Sequence, residues 1–374
     1  MGLFAKRLSY IGIDIGTAGI KIVELLNDQG KPRLATYGYL DEPINVVRSD
    51  SPDAHAKAVQ VIKEIFKQAK VGTNRVISAL PSFSVFSAII SLPNMSRKEL
   101  VSAVRWEAKK FVPMPIEEMI LDWKVLDEQK NDGAAPKAEP APANKKTGEP
   151  AAAGKNLNIL LTAAPRNLVQ RYLNIFKELN VKLVGLETEA FALERSLIGH
   201  DKSAVMIVDI GGLNTNVCVM RDSIPLLNRS IDVGGETITR TIANGLNVDL
   251  ERAEQFKRDF GMSTDESGGQ QQIPKTIEFV ISSIVNEIKY CFNLYHNQSL
   301  GPTDANKAIE KVILIGGSAF LPSLPEYLSK VLNMRVYVGD PWARVAYPEE
   351  LKPVLAELGP KLAVAIGLAM REIY

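Results

Sequence analysis

Cysteine is nearly absent. Cys218 and Cys291 are the only two in 374 residues and lie far apart. Two cysteines cannot form a disulfide framework for a chain this size, and no CxxC or Cys/His cluster suggests zinc. A reducing compartment fits that usage. Histidine is equally scarce, and His55, His200 and His296 have no recognisable partners in the sequence. The charges cancel to a formal net of +1, which disfavours nucleic-acid binding through a basic face. Long apolar runs are missing too. The longest candidate, LAVAIGLAM near the C-terminus, is about half the ~20 residues a membrane-spanning helix needs. The opening MGLFAKRLSY is basic but leads into no apolar h-region. The expectation is a chain without signal peptide or transmembrane helix, working in the cytoplasm and reaching a membrane only through partners.

What is present is a globular composition, 46% hydrophobic and 23% charged, long enough for two core-bearing units at ~150 residues each. Gln129–Asn156 departs from it. Ala, Pro, Lys, Glu and Gly dominate there, too few large apolar residues to offset the entropy of ordering, which predicts a disordered loop or, equally by composition, a linker between domains. It joins EEMILDWKVLDE and LNILLTAA, both strand-like. Before it, FSVFSAIISLP reads as a strand and SRKELVSAVRWEAKKFVP as a helix. That helix has Ser96 as N-cap, Glu99 at the capping-box position and Pro113 as its stop. Leu100, Val101, Val104, Ala108 and Phe111 mark its apolar face. A second helix, TIEFVISSIVNEIKYCFNLYHNQ, carries a core stripe at Ile277, Val280, Ile281, Ile284, Ile288 and Phe292.

The glycines carry the chemistry. In IGIDIGTAGIKIVEL (Ile11–Leu25), period two before and after the glycines predicts strand, turn, strand. Walker A and Rossmann loops both need a helix after the glycines, so neither applies. VMIVDIGGLNTNVCVM (Val205–Met220) repeats the plan, and two DIG hairpins in matched context indicate an internal duplication. Backbone N–H groups at such turns make a nest for phosphate oxygens, which glycine allows to approach closely. Thr17, Asn214 and Thr215 can add donors, and Lys21 a point charge. Asp14 and Asp209 would face each other and suit a hydrated magnesium ion. Each aspartate alone could equally be a hairpin hydrogen-bond acceptor. VILIGGSAFLPSLPEYL offers a strand ending in Gly316, Gly317 and Ser318, where glycine permits close approach of a base or ribose. In DLERAEQFKRDFG, Glu254 and Lys257 share a helical face. They could clasp a ribose and adenine or form a surface ion pair.

DIGTAGIK, DIGGLNTN and IGGSAFLP, in this order across almost the whole chain, resemble the two phosphate motifs and the adenosine motif of the actin-like ATPase superfamily. Within it, AVRWEAKKFVPMPIEEMILDWKVL and AAPRNLVQRYLNIFKELNVKLVGLETEAFAL are similar to the PilM family of type IV pilus assembly proteins. FtsA shares the architecture but is expected to carry an amphipathic membrane-targeting helix after a linker, with no counterpart after AVAIGLAMREIY.

The resemblance implies an α/β, actin-like fold: two lobes of duplicated domains around a nucleotide cleft, with an FtsA/PilM-type extra subdomain. Residues 8–80 and 166–202 would form the first lobe, 81–165 the inserted subdomain and 203–354 the second lobe, its upper part about 236–300. Residues 355–374 would return to the first lobe as a helix. It implies ATP and Mg2+ as cofactors. Gly16, Thr17, Gly19 and Lys21 would contact the triphosphate from one side, Gly211, Gly212, Asn214 and Thr215 from the other. Gly235, in DVGGETITRTIA, belongs with them. Glu254 and Lys257 would become the ribose/adenine clip, and Gly316, Gly317 and Ser318 would flank the adenosine. Asp14 and Asp209 would hold magnesium through water, and Glu189 in ETEAFAL, with Glu187 as neighbour, would orient the attacking water. The implied partner is the N-terminal cytoplasmic peptide of the inner-membrane protein PilN, with pilus motor ATPases and ring-like self-association beyond it. Hydrolysis would be slow or partner-dependent. The alternatives are an FtsA- or MreB-like filament and a sugar- or acetate-type kinase, for which no catalytic base in a matching motif is present.

Overall fold

The structure is a computed structural model that describes residues 8–126, 156–263, 272–297 and 308–374. The segment expected to be disordered, Gln129–Asn156, lies outside the described residues except for Asn156.

Strands β1 (Ser9–Gly16), β2 (Gly19–Asp28) and β3 (Lys31–Leu40) are followed by helix α1 (Pro52–Gln68) and β4 (Arg75–Leu80). Next come β5 (Phe86–Leu92), α2 (Arg97–Phe111), β6 (Met119–Val125) and β7 (Leu157–Pro165), then α3 (Arg166–Glu178), β8 (Lys182–Thr188) and the short α4 (Glu189–Leu193). The remainder runs β9 (Ala204–Ile210), β10 (Thr215–Arg221), β11 (Ile224–Ile231), α5 (Gly235–Leu246), α6 (Leu250–Phe260) and α7 (Gln272–Asn297). It closes with β12 (Ile309–Ile315), α8 (Leu324–Leu332), β13 (Arg335–Val338) and α9 (Lys352–Met370).

The duplication is visible in the sheets. One has the order β3-β2-β1-β4-β8, the other β11-β10-β9-β12-β13. In both, an antiparallel meander is extended by two parallel strands. The central strands β1 and β9 are apolar on both faces, as strands covered on both sides must be. Phe86–Arg166 form a separate compact unit, a sheet of order β5-β7-β6 with α2 over a core of Leu100, Val104, Ala108, Ile159 and Leu161. Its boundary falls at Phe86 rather than Pro81. Ser96 and Glu99 make the expected reciprocal capping box on α2. Val101 and Phe111, expected on the buried face, are exposed at 53% and 45%, so the stripe is narrower than the spacing suggested. On α7 the stripe from Ile277 to Ile288 is buried.

The helix α9 corrects the hydropathy reading. Glu349–Met370 is long and apolar enough to cross a membrane by length and composition. Here it is a core helix, packed with Val23, Leu25 and Leu34 on one side and with Val205, Ile207 and Ile313 on the other. Gly12 makes this possible, because a Cβ there would run into the backbone of Ala365 and Ala369. Gly367 does the same against the carbonyl of Ala192 on α4.

Candidate functional site

Strand pairing builds the site. β1 and β2 pair up to Gly16 opposite Gly19, leaving Thr17-Ala18 as a two-residue turn. The register sets Asp14 directly across from Lys21, and their side chains form an ion pair at 3.2 Å. In the second hairpin Asp209 stands opposite Asn216. The two turns meet: the Thr17 hydroxyl donates to Asn214 Oδ1 at 3.2 Å. Asn214 Nδ2 in turn donates to Asn216 Oδ1 at 3.2 Å. Between the hairpins lies a cleft. Its walls include Asp14, Gly16, Thr17, Lys21, Glu189, Asp209, Gly211, Gly212, Asn214, Gly316 and Gly317, eleven residues the sequence singled out.

Glu189 begins α4, directly after β8. Its Oε2 accepts the Ser82 N–H at 3.0 Å and the Asn216 amide at 3.4 Å. Burial, then the Asp14 carboxylate, pushes Glu189 up to about 8 against the pull of the Ser82 hydrogen bond. Burial also raises Asp209 to about 6, with Lys21 opposing and Asp14 assisting. Lys21 is pulled down by burial, but Asp14, Asp209 and Glu189 outweigh this and leave it raised. Glu187 faces elsewhere, paired with Arg195 and, at 3.5 Å, with Arg371. Of the two glutamates, Glu189 is the one on the cleft wall.

Six singled-out residues are absent from that wall. Gly19, at φ +154°, is pressed against the Leu40 carbonyl and shapes the turn. Thr215 is fully buried, and its hydroxyl donates to the Val233 carbonyl at 2.7 Å. The hydroxyl is therefore spent inside the fold and is no phosphate donor. Gly235, Glu254, Lys257 and Ser318 form a second polar group that braces the second hairpin. The Gly235 N–H donates to the Gly211 carbonyl at 2.9 Å, and the Ser318 N–H to Ile210 at 3.2 Å. Lys257, only 8% exposed, donates to the Gly235 carbonyl at 3.2 Å and the Thr239 hydroxyl at 3.0 Å while pairing with Glu254. Burial raises Glu254, but bonds from Lys257 and Thr239 hold it lowered overall. This is neither a bare surface ion pair nor, as it stands, an open clip.

The wall residues not assigned from sequence include Asn216, Pro81, Phe83, Ala18 and Lys361. Asn216 had a signal, as the last polar residue of DIGGLNTN. Lys361 sits in an apolar helix where periodicity says nothing about its direction.

The donor set fits a polyphosphate with a hydrated cation. Among the described residues, the turn N–H groups of Thr17, Ala18, Gly212 and Gly317 have no acceptor. A Cβ on Gly317 would meet nothing within 4 Å. Asp14, Asp209 and Glu189 line the cleft with two lysines, Lys21 and Lys361, each already paired with an aspartate, so a bound polyphosphate would bring negative charge that a divalent cation relieves. Among the described residues no three His, Cys, Asp or Glu side chains stand close enough to ligate an ion directly. Such an ion would be held through water.

Duplicated sheets of this order, each lending a glycine hairpin to one cleft, define the actin-like ATPase fold. MreB5 of Spiroplasma citri, solved bound to ADP, superposes with a TM-score of 0.52 at 15% identity, covering 97% of this chain and 95% of that one. The family described as type IV pilus assembly protein PilM matches residues 12–138 and 145–373, and the chain belongs to that family. A solved PilM-PilN type IV pilus biogenesis complex contains a chain 27% identical, with a TM-score of 0.78 over 98% of this chain and 99% of its own. The cell division protein FtsA of Bacillus subtilis (strain 168) is 22% identical over 368 residues, covering 89% of this chain and 78% of its own length.

Proposed function

We propose that this pilus assembly protein binds ATP with Mg2+ between its two glycine hairpins and, in that state, docks the N-terminal cytoplasmic peptide of a PilN-type inner-membrane protein. Docking would hold it at the inner face of that membrane. The observation that carries the nucleotide reading is the convergence of unpaired turn amides, Lys21 and the Asp14/Asp209 pair on one cleft. A bound magnesium ion would supply positive charge against the phosphates, and Asp14 and Asp209 would hold its waters. The amides of Thr17, Ala18 and Gly212 would take phosphate oxygens. The PilM-PilN complex among the solved relatives supports the choice of partner.

Glu189 fits slow turnover. With its carboxyl raised to about 8 by burial and by Asp14, and with Ser82 and Asn216 occupying Oε2, it is poorly prepared to accept a proton near neutrality. Hydrolysis well below the ~1–100 per second of kinases is expected, and Glu189→Gln would remove it while leaving ATP binding in place. The deciding experiment is calorimetric titration of ATP, with Mg2+ and with EDTA, followed by a synthetic PilN N-terminal peptide with and without ATP. Magnesium-dependent ATP binding that strengthens peptide binding supports the reading. Peptide binding in neither condition refutes the partner, and absence of ATP binding refutes the site.

A further inference from the structure

Two lysines line the cleft, and they are held in different ways. Lys21 is committed. Its partner Asp14 is buried, the two side chains are 16% and 10% exposed, and removing the lysine would leave a buried carboxylate uncompensated. Lys361 comes from the middle of α9, and its side chain is 21% exposed. Its ammonium pairs with Asp41, whose side chain is 57% exposed, and lies 4.1 Å from the centre of the Tyr39 ring. An exposed aspartate is a weak competitor, because such pairs contribute about 0–1 kcal/mol. The aspartate is also tied to the site. Leu40 and Asp41 pack directly on Gly19 of the first hairpin.

We infer that Lys361 is a second ligand-binding cation of this cleft, exchanging the Asp41 carboxylate for the negative charge of a bound nucleoside polyphosphate. The inference rests on the nucleotide reading above and adds a residue to it. The charge balance favours such a group. Asp14 and Asp209 line the cleft, and Lys21 is engaged by the first of them. A polyphosphate entering with one divalent cation adds to this negative charge, and Lys361, turned to it, would offset part of the excess. Tyr39 can keep the lysine stem seated while the ammonium changes partner, since a ring face holds a cation without a fixed hydrogen-bond direction. Asp41, once released, remains in water at little cost.

The test uses the full chain and fluorescence titration with ATP, ADP, tripolyphosphate and uncharged adenosine at several salt concentrations. Lys361→Met is expected to weaken ATP and tripolyphosphate about tenfold, the scale of one charge-assisted hydrogen bond. It should flatten the salt dependence and leave adenosine within twofold. Lys361→Arg should retain most of the ATP affinity. Asp41→Asn, which removes the competitor without touching the lysine, should tighten ATP about two- to fivefold. Lys352→Met, at the exposed start of α9, serves as control. ATP binding within twofold of wild type in Lys361→Met overturns the inference, as does an equal loss for adenosine or weakened ATP binding in Asp41→Asn. Failure of the wild-type protein to bind ATP at all refutes the nucleotide reading as well, which separates the two.

Discussion

Gly234→Ala isolates what holds the second hairpin in place. Gly234 is extended, at φ −154°, so alanine is tolerated by the backbone itself. The obstacle is steric. A Cβ there would lie 2.6 Å from both the Gly211 and the Gly212 carbonyl oxygens, against an ordinary contact of at least 3.4 Å. The hairpin must therefore retreat by about 0.8 Å, the difference of those distances. Backbone carbonyls cannot rotate aside as a side chain tip would. The same carbonyls accept the N–H groups of Gly235 at 2.9 Å and Glu236 at 2.8 Å, so the retreat also stretches the attachment of α5. Overpacking of this kind costs about 1–3 kcal/mol. At roughly 2 °C per kcal/mol for a protein this large, the melting temperature should fall by about 2–6 °C, read by differential scanning calorimetry. ATP affinity, read by calorimetric titration on the folded variant, should fall at least tenfold, about 1.4 kcal/mol. Gly317→Ala is the matched contrast, since its Cβ meets nothing within 4 Å. It should melt within a degree of wild type yet weaken ATP if the nucleotide lies against that turn. A Gly234→Ala protein with unchanged melting and unchanged affinity would refute the reasoning that this glycine seats the hairpin.

Gly367→Val should be far more damaging, because its Cβ would run into the Ala192 carbonyl. A loss above about 3 kcal/mol, or no soluble protein, is expected in denaturant titration, and a wild-type midpoint would contradict the packing of α4 on α9. Stability should also fall as pH rises from 5 to 8. Glu189 and Asp209 bind protons more tightly in the folded chain, at about 8 and about 6, than unfolded, so the native state holds more protons across this window. Glu189→Gln should flatten the slope in melting temperature measured at constant ionic strength, and an unchanged slope would remove Glu189 as its source. Lys257→Met should weaken ATP and tripolyphosphate alike, because Lys257 holds Gly235, whose N–H braces the Gly211 carbonyl of the second hairpin. Unchanged affinity for both ligands in competition titrations would argue against that bracing.

Much of this fold could be read from local patterns. Period two around Gly16–Gly19 and the apolar strands flanking Gly211–Asn214 mark both hairpins. The capping box at Ser96 and Glu99 set the start of α2. What failed was width and context. Val101 and Phe111 satisfy helical spacing yet stand in solvent, because spacing places a residue on a face without saying how far the neighbouring sheet extends. The apolar C-terminal helix was underestimated for a related reason. Its hydropathy is interrupted by Lys361 and Pro360, and only packing shows that both line a cleft and that Pro360 gives its carbonyl to the Gly316 N–H at 3.0 Å.

The site divides along the same line. Residues contributed by the turns themselves, Gly16, Thr17, Gly212 and Asn214, were legible because a turn exposes what it contains. Ser82 and Lys361, contributed by elements passing nearby, were not. Ser82 reaches Glu189 from more than a hundred positions away in sequence, and Lys361 is paired with Asp41 across 320 positions. Thr215 shows the converse error. It follows the turn by one residue, but strand pairing with Ile210 and Ile231 points its hydroxyl to Val233 inside the fold. A one-residue step along a strand reverses the face a side chain occupies. In this cleft that step separates Asn214 and Asn216, which meet Thr17 and Glu189, from the buried threonine between them. The alternation that made the hairpins legible therefore also sorts their donors, and it favours the two asparagines over Thr215.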